Sequence, residues 1–168
     1  INSSTRLRQE SPFVTSLSDG GFFVTWSDQS NYAVGREIVG QRFDSDGNLS
    51  GVEIVINVDP AGDQRLPKVI ELTDETLVVS WYFSASETYA AIYDKDGTLK
   101  FSDFLLSGSN NSTDVGFELT ALQNGNFAAV WMSNRDNDQY EYNIFAQILD
   151  KNGNAIGHEF RVDTNSTF

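Results

Sequence analysis

Three stretches of this chain follow one pattern that ends in tryptophan: Gly20-Gly21-Phe22-Phe23-Val24-Thr25-Trp26, Glu75-Thr76-Leu77-Val78-Val79-Ser80-Trp81 and Gly125-Asn126-Phe127-Ala128-Ala129-Val130-Trp131. The pattern returns every ~50 residues, a period typical of repeat architectures. In a strand, alternate residues share a face, and here one apolar face ends on each tryptophan. The opposite face is also largely apolar, which predicts strands that are buried on both sides.

The same order of short segments surrounds each tryptophan strand. A short apolar strand and a turn precede it, and a third strand with an acidic turn follows: Phe43-Asp44-Ser45-Asp46-Gly47-Asn48, Tyr93-Asp94-Lys95-Asp96-Gly97-Thr98 and Leu149-Asp150-Lys151-Asn152-Gly153-Asn154. A fourth strand closes each copy. Runs rich in Val, Ile, Phe and Thr between Asp-Gly and Asn-Gly turns predict antiparallel hairpins. We therefore predict one all-β domain over residues 1–168, with copies at about 9–62, 63–112 and 113–168.

Four antiparallel strands per copy are the unit of a β-propeller blade. A propeller ring typically needs about four to eight blades, so three blades do not close one. The sequence therefore predicts three propeller-like blades, with six blades formed by two chains in a homodimer or three blades belonging to a longer array. The alternative is a β-trefoil, which closes three four-stranded units within one chain.

The charge of the chain restricts its partners. Lys and Arg number 11 against 24 Asp and Glu in 168 residues, for a formal net charge of −13. This excess of acid argues against nucleic acid and anionic membrane surfaces as partners. No stretch reaches the ~18 apolar residues of a membrane helix, so we expect no membrane insertion. The absence of cysteine excludes disulfides, thiolate nucleophiles and Cys-ligated zinc.

The repeat resembles the tandem units of large secreted bacterial proteins of the adhesin and haemolysin-type calcium-binding class. The resemblance is carried by Leu17 to Trp26, by Gln41 to Asn48 and by Gly62-Asp63-Gln64, with weaker matches in the second copy, where Glu75 and Thr98 replace the glycine and the asparagine. It implies secretion or a cell-surface location, adhesion and calcium.

The acidic turns are the candidate metal sites. Two carboxylates and an amide oxygen in one tight turn suit a hard cation such as calcium. The alternative is an ordinary hairpin turn, in which Asp and Asn side chains accept hydrogen bonds from their own backbone. The twelve-residue EF-hand spacing is absent. The candidate calcium ligands are Asp44, Asp46, Asn48, Asp94, Asp96, Asp150 and Asn152.

The tryptophans and the loops that follow them are the candidate ligand site. Sugar-binding proteins stack sugar rings on aromatic faces, and polar side chains follow two of the tryptophans. The alternative is that the tryptophans pack between sheets as core residues. The candidate residues for a carbohydrate or cell-surface ligand are Trp26, Asp28, Trp81, Tyr82, Trp131, Asn134, Asp136 and Tyr140.

The sequence contains few of the motifs that identify enzymes. The only histidine is His158, and no nucleophile elbow, zinc-binding His pair or phosphate-binding glycine loop is present. We therefore expect a non-catalytic, secreted module that binds an extracellular carbohydrate or cell-surface ligand through several weak sites. The alternatives are a purely structural assembly domain and a glycan-processing enzyme with carboxylates at a central pore.

Overall fold

The computed structural model of the chain describes residues 8–30, 35–59, 62–83, 87–107, 114–135 and 142–163. Twelve strands run through them: β1 (Gln9–Ser16), β2 (Phe22–Asp28), β3 (Glu37–Phe43), β4 (Ile54–Val55), β5 (Gln64–Glu71), β6 (Leu77–Phe83), β7 (Glu87–Tyr93), β8 (Leu99–Ser107), β9 (Asp114–Ala121), β10 (Phe127–Ser133), β11 (Asn143–Leu149) and β12 (Ala155–Arg161). No helix in this part of the chain has the length and apolar character needed to cross a bilayer.

The strands form three antiparallel sheets of four, each in sequence order: β1–β4, β5–β8 and β9–β12. We call these sheets blades 1, 2 and 3. Each blade falls within one repeat of the sequence, and the predicted all-β architecture of propeller-like blades is confirmed. The trefoil alternative is not the observed arrangement.

The tryptophan strand of blade 2 is buried on both faces because a blade packs on each side of it. Leu77, Val79 and Trp81 pack into a core shared with blade 1. Val78, which points the other way, packs with Phe127 and Trp131 of blade 3. Alternate residues of one strand therefore serve two different interfaces. This arrangement explains the absence of a polar face on β6.

The first strand of every blade lies where the blades converge, and contacts between sheets are concentrated on β1, β5 and β9. Lys68 of β5 illustrates the convergence. Its ammonium lies 4.6 Å from the centroid of the Phe13 ring on β1 and donates to Glu118 of β9 at 3.0 Å. We call β1, β5 and β9 the inner strands, since they occupy the position that lines the central channel of a propeller.

The two ends of the blades differ in their connections. Tight turns after the first and third strands of each blade lie at one end, which we call the turn end. The starts of the inner strands lie at the opposite end, as the pairing of Gln9 with Asp28 and of Ser16 with Phe22 requires. This loop end also carries the connections between the second and third strands and between blades.

All three inner strands bulge at the same place. Residues at equivalent positions, Ser11, Leu66 and Gly116, have φ angles of 55°, 51° and 71°. The register of each inner strand against its neighbour shifts beside them. A left-handed conformation is strained for serine and for leucine, and bulges of this kind redirect side chains near functional sites.

Gly40, in the centre of β3, tests how tightly blade 1 packs its side of the core that it shares with blade 2. A Cβ atom at this position would lie 2.6 Å from two ring carbons of Phe23 and 3.2 Å from Cδ1 of Ile56, and both neighbours are buried. We expect Gly40→Ala to lower the free energy of unfolding by about 1–3 kcal/mol through overpacking, measured by urea denaturation.

The control is Ser45→Ala in an exposed turn, which should stay within about 0.5 kcal/mol of the parent. Phe23→Leu removes the ring atoms in the way, so the double variant should cost less than the two single changes added together. Strict additivity would contradict a clash between residue 40 and the Phe23 ring.

Candidate functional site

A groove of about 460 Å³ lies between inner strands β5 and β9, and we call it the channel groove. Lys68 and Glu118 form an ion pair across it. Its lining residues are Arg65, Leu66, Lys68, Tyr82, Val115, Gly116, Phe117 and Glu118. Two of these, Leu66 and Gly116, are the bulge residues of their strands, so the groove owes its shape to the distorted inner strands.

Four charged side chains cluster at the loop end of the groove. Arg36, just before β3, forms an ion pair with Glu10 of β1, with Nε 2.8 Å from the carboxylate oxygen, and donates through Nη1 to Asp63 at 2.5 Å. Asp63 also accepts from Arg65 of β5, with Nε at 2.8 Å. The side chain of Arg36 is only 11% exposed, so this pairing joins blades 1 and 2 through a largely buried guanidinium. We call Glu10, Arg36, Asp63 and Arg65 the interblade cluster.

The interblade cluster keeps Asp63 ionised. Burial opposes ionisation of this carboxyl, but hydrogen bonds from Arg65 and Arg36 outweigh burial and hold the pKa of Asp63 below its usual value of 3.8. The same contact with Asp63 raises the pKa of Arg36. An ionised carboxylate beside the channel groove can act as a base, a nucleophile or an acceptor for hydroxyl groups.

The three tryptophans lie in the core. Trp26, Trp81 and Trp131 are 4%, 2% and 1% exposed. The ring of Trp131 stacks on Phe117 with centroids 5.3 Å apart. Trp81 differs from the other two because it also borders a cavity, described below. The structure does not bring the three tryptophans together, since each belongs to a different blade.

The remaining predicted ligand residues are dispersed. Asp28 is buried, and its carboxylate accepts from the Ser30 amide at 2.5 Å. Tyr82 lies in the channel groove, where its hydroxyl accepts from the Phe117 amide at 3.0 Å. Asn134 is half-buried at the end of β10. Asp136 and Tyr140 lie outside the described residues.

In each acidic turn, the side chain of the first aspartate accepts hydrogen bonds from backbone amides of the same turn. Asp44 Oδ1 accepts from the amides of Asp46 and Asn48 at 3.0 and 2.8 Å, and its other oxygen accepts from the Asn48 side chain at 3.1 Å. Asp94 and Asp150 accept from the equivalent amides. These bonds lower the pKa of Asp44, most of all those from the Asn48 side chain and amide.

No group of three or more His, Asp or Glu side chains in the described part of the chain is placed to hold a metal ion. The candidate ligands Asp46, Asp96 and Asn152 lie in three separate turns, so the structure does not bring them together. Calcium binding therefore stays a prediction.

The charged residues of the inner strands were missed by the sequence analysis. Glu10, Arg65 and Val115 occupy one position of the repeat, and Phe13, Lys68 and Glu118 occupy another, as the strand registers show. At both positions the residue type changes completely from copy to copy while the tryptophan strands repeat. Such variation at fixed positions of a repeat is the feature that could have identified them.

Comparisons with known proteins support the fold. No family model and no curated protein matches the sequence. The structure is similar to an endo-arabinase from Bacteroides thetaiotaomicron, with a TM-score of 0.58, 17% identity and coverage of 91% of this chain and 61% of that one. It is also similar to an alpha-L-arabinanase from Penicillium chrysogenum complexed with arabinobiose, with a TM-score of 0.65, 18% identity and coverage of 95% and 51%.

A third similar structure is an alpha-L-arabinofuranosidase of Fusarium graminearum in complex with an iminosugar inhibitor. Its TM-score is 0.62 and its identity 20%, with coverage of 94% of this chain and 50% of that one. The chain therefore spans about half to three-fifths of the length of the structures it resembles. At these identities the likeness establishes the fold.

The prediction of a non-catalytic binding module is wrong, and so is the prediction that the chain is not an enzyme. All three similar structures are glycan-processing enzymes. The absence of histidine-based motifs misled the sequence analysis, because glycoside hydrolysis requires only two suitably placed carboxyl groups.

The interblade cluster predicts a pH-dependent contribution to stability. A carboxyl group whose pKa is lower in the folded protein stabilises it above the unfolded pKa, about 3.9, and loses this effect as the pH falls through the folded value. We expect Asp63→Asn to lower the free energy of unfolding at pH 7 by up to about 1 kcal/mol, the size typical of a partly exposed pair. Thermal unfolding at pH 7 and pH 3 measures the change.

The difference between Asp63→Asn and the parent should be smaller at pH 3 than at pH 7, because the contribution of the carboxylate declines once the pH falls below the unfolded pKa of about 3.9 and is lost as the pH falls through the folded value. Asp46→Asn, an exposed carboxylate at the turn end, provides the control and should show no such convergence. An equal loss of stability at both pH values would contradict the assignment.

Proposed function

We propose that the chain contributes blades to a glycan-processing propeller enzyme that hydrolyses arabinofuranosyl linkages. The observation that supports this proposal is the combination of the fold with charged inner strands. The similar structures are two arabinan-cleaving enzymes and an arabinofuranosidase, and each resembles more than nine-tenths of this chain. The inner strands of this chain carry carboxylates at the place where a propeller channel lies.

Glycoside hydrolysis requires a carboxyl group on each side of the bond that breaks. In this proposal Asp63 and Glu118 are the pair, since they lie on the inner-strand side of neighbouring blades and are linked to the channel groove through Arg65 and Lys68. Asp63, held ionised by two arginines, serves as nucleophile or base. Glu118, whose side chain is 66% exposed, takes up a proton from solvent when a sugar hydroxyl displaces Lys68, and passes that proton to the leaving oxygen as the glycosidic bond breaks.

Arg36 and Lys68 position the two carboxyl groups. The Arg36 guanidinium is fixed between Glu10 and Asp63, so it orients Asp63 relative to blade 1. Lys68 lies over the Phe13 ring, which holds its ammonium between β1 and β9. A sugar ring in the channel groove would contact the apolar surfaces of Leu66 and Tyr82 while its hydroxyl groups bond to these charged side chains.

Secretion remains our proposal for the location. An extracellular site of action fits this substrate class, because a polysaccharide is too large to enter a cell. Closure of the ring by a second copy of the chain and stabilisation by calcium at the acidic turns also remain proposals.

Hydrolysis of debranched arabinan and of 4-nitrophenyl α-L-arabinofuranoside tests the proposed function. We expect Asp63→Asn and Glu118→Gln each to lower kcat/KM by about 100-fold or more, since each removes a group that exchanges a proton or bonds to the sugar. Release of reducing ends and of 4-nitrophenol measures the activity.

The matched control is Asp74→Asn, which removes the same charge at the turn end and should leave the activity unchanged. Circular dichroism checks that all variants remain folded. No hydrolysis by the parent protein, or full activity in both channel variants, would overturn the proposal.

A further inference from the structure

A second cavity lies on the face of blade 2 that packs against blade 1, near the loop end. Its volume is about 250 Å³, and we call it the blade 2 cage. The cage has three aromatic and three polar lining residues: Asp59, Gln64, Trp81, Phe83, Tyr89 and Asp103. None of them belongs to the channel groove or the interblade cluster, so the cage is a separate feature of the surface.

Two aromatic rings form a right-angled corner of the cage. The rings of Phe83 and Tyr89 have centroids 5.7 Å apart and an interplanar angle of 83°. Gly62 packs against Phe83 so closely that a Cβ atom would lie 2.3 Å from the ring. Contact with the Gly62 backbone therefore restricts the position of the Phe83 ring. Fixed perpendicular rings of this kind are the walls from which cation-binding aromatic sites are built.

The cage is negatively charged. Asp103 accepts from the backbone amides of Val58 and Asp59 at 3.0–3.1 Å, which fixes its carboxylate at the rim. Burial raises the pKa of the Tyr89 hydroxyl, and the negative charges of Glu87, Asp103 and Asp59 raise it further. Among the described residues that line the cage there is no Lys, Arg or His. A cation would therefore be attracted by both the carboxylates and the ring faces.

Blade 3 has equivalent residues at the same positions, and there a side chain of the protein itself occupies the site. Strand registers match Trp81 and Tyr89 of blade 2 with Trp131 and Phe145 of blade 3, because each tryptophan pairs directly with the second residue. The registers also match Asp103 with Glu159, since the residues that follow them pair with equivalent alanines on β7 and β11. Tryptophan, a second ring and a carboxylate thus recur at equivalent positions.

In blade 3 the protein places its own cation in this site. The Arg135 guanidinium lies 4.2 Å from the centroid of the Phe145 ring and 5.9 Å from that of Trp131. It forms an ion pair with Glu159, and its Nε donates to Ser133 at 3.1 Å. Arg135 follows Ser133 by two residues, and the residue at the same distance from Phe83 in blade 2 is alanine. Blade 2 has the rings and the carboxylate of this site but not the arginine.

We propose that the blade 2 cage binds the guanidinium or ammonium head group of an external ligand, in the way that blade 3 binds Arg135. Blade 1 offers no equivalent site, because Val39 stands where blades 2 and 3 carry the second ring. One cage per chain is therefore expected. The proposal does not depend on glycan hydrolysis at the channel groove.

Other ligand classes fit the cage less well. An anion would be repelled by the carboxylates of Asp59 and Asp103. A calcium ion requires six to eight oxygen ligands, whereas half of the lining consists of aromatic rings. A neutral sugar could stack on Tyr89, but it would gain nothing from the negative potential. An organic cation uses both the charge and the rings.

Isothermal titration calorimetry with agmatine, a small guanidinium compound, tests the proposal. We expect one site per chain with a dissociation constant of about 1 mM or lower, and a loss of affinity of about tenfold or more in both Tyr89→Leu and Asp103→Asn. Asp74→Asn at the turn end of the same blade changes the net charge by the same amount as Asp103→Asn and should bind normally, which separates the cage from general attraction to an acidic protein.

Arg135→Ala provides the reciprocal test in blade 3. Emptying that site should raise the agmatine stoichiometry from one to two, and agmatine should raise the Tm of this variant more than that of the parent. If the variant does not fold without ligand, refolding in the presence of agmatine, but not of sodium chloride at equal ionic strength, is the expected result.

The source of the cation is distinguished by a second probe, the peptide acetyl-Gly-Arg-Gly-amide. Binding of this peptide about tenfold tighter than agmatine would identify an arginine side chain of a protein partner, and the reverse order would identify a free amine. Binding that is equal in Tyr89→Leu and parent, no binding at all, or displacement of agmatine by arabinobiose would overturn the proposal. Arabinan hydrolysis by the same preparation reports on the channel groove independently.

Discussion

The need to bury both faces of β6 constrains the whole molecule. Leu77, Val79 and Trp81 point into the interface with blade 1, and Val78 points into the interface with blade 3. A strand of this composition is stable only between two other sheets, because either face left in water would expose a continuous apolar surface. Blade 2 therefore holds blades 1 and 3 in place. The tryptophan in each tryptophan strand belongs to the packing that joins the sheets.

Because the tryptophan strands must stay apolar to pack, residue types with different chemistry are found on the inner strands instead. Their side chains meet neighbours from other blades, as Lys68 does with Phe13 and Glu118. The bulges at Ser11 and Leu66 keep residues in a strained left-handed conformation that the surrounding sheets must stabilise. The channel groove thus combines a rigid support with locally irregular backbone, which places charged groups where regular strands would not.

The repeat made most of the fold predictable from the sequence. The turns at Asp44 to Asn48 and at Asp150 to Asn154 have the hydrogen bonds expected of aspartate in a hairpin turn, and the strands between them follow from alternation. The interblade cluster could not be found in this way. Arg36 and Asp63 are 27 residues apart and belong to different blades, so only the packing of the blades brings them into contact. The expectation of a non-catalytic module was wrong for a related reason, because a pair of carboxyl groups has no sequence spacing of its own.

Differences between the copies carry more information about function than their similarities. Residues that recur, such as the three tryptophans, meet a need that every blade shares, which is to pack against its neighbour. The aromatic and acidic positions around Trp81 and Trp131 also recur, yet the arginine that neutralises them is present only in blade 3. In blade 2 the Asp103 carboxylate accepts from the backbone amides of Val58 and Asp59, and no arginine follows Phe83 at the position that Arg135 holds after Ser133. A cationic ligand would bring to Asp103 and the neighbouring rings the positive charge that Arg135 brings to Glu159 in blade 3.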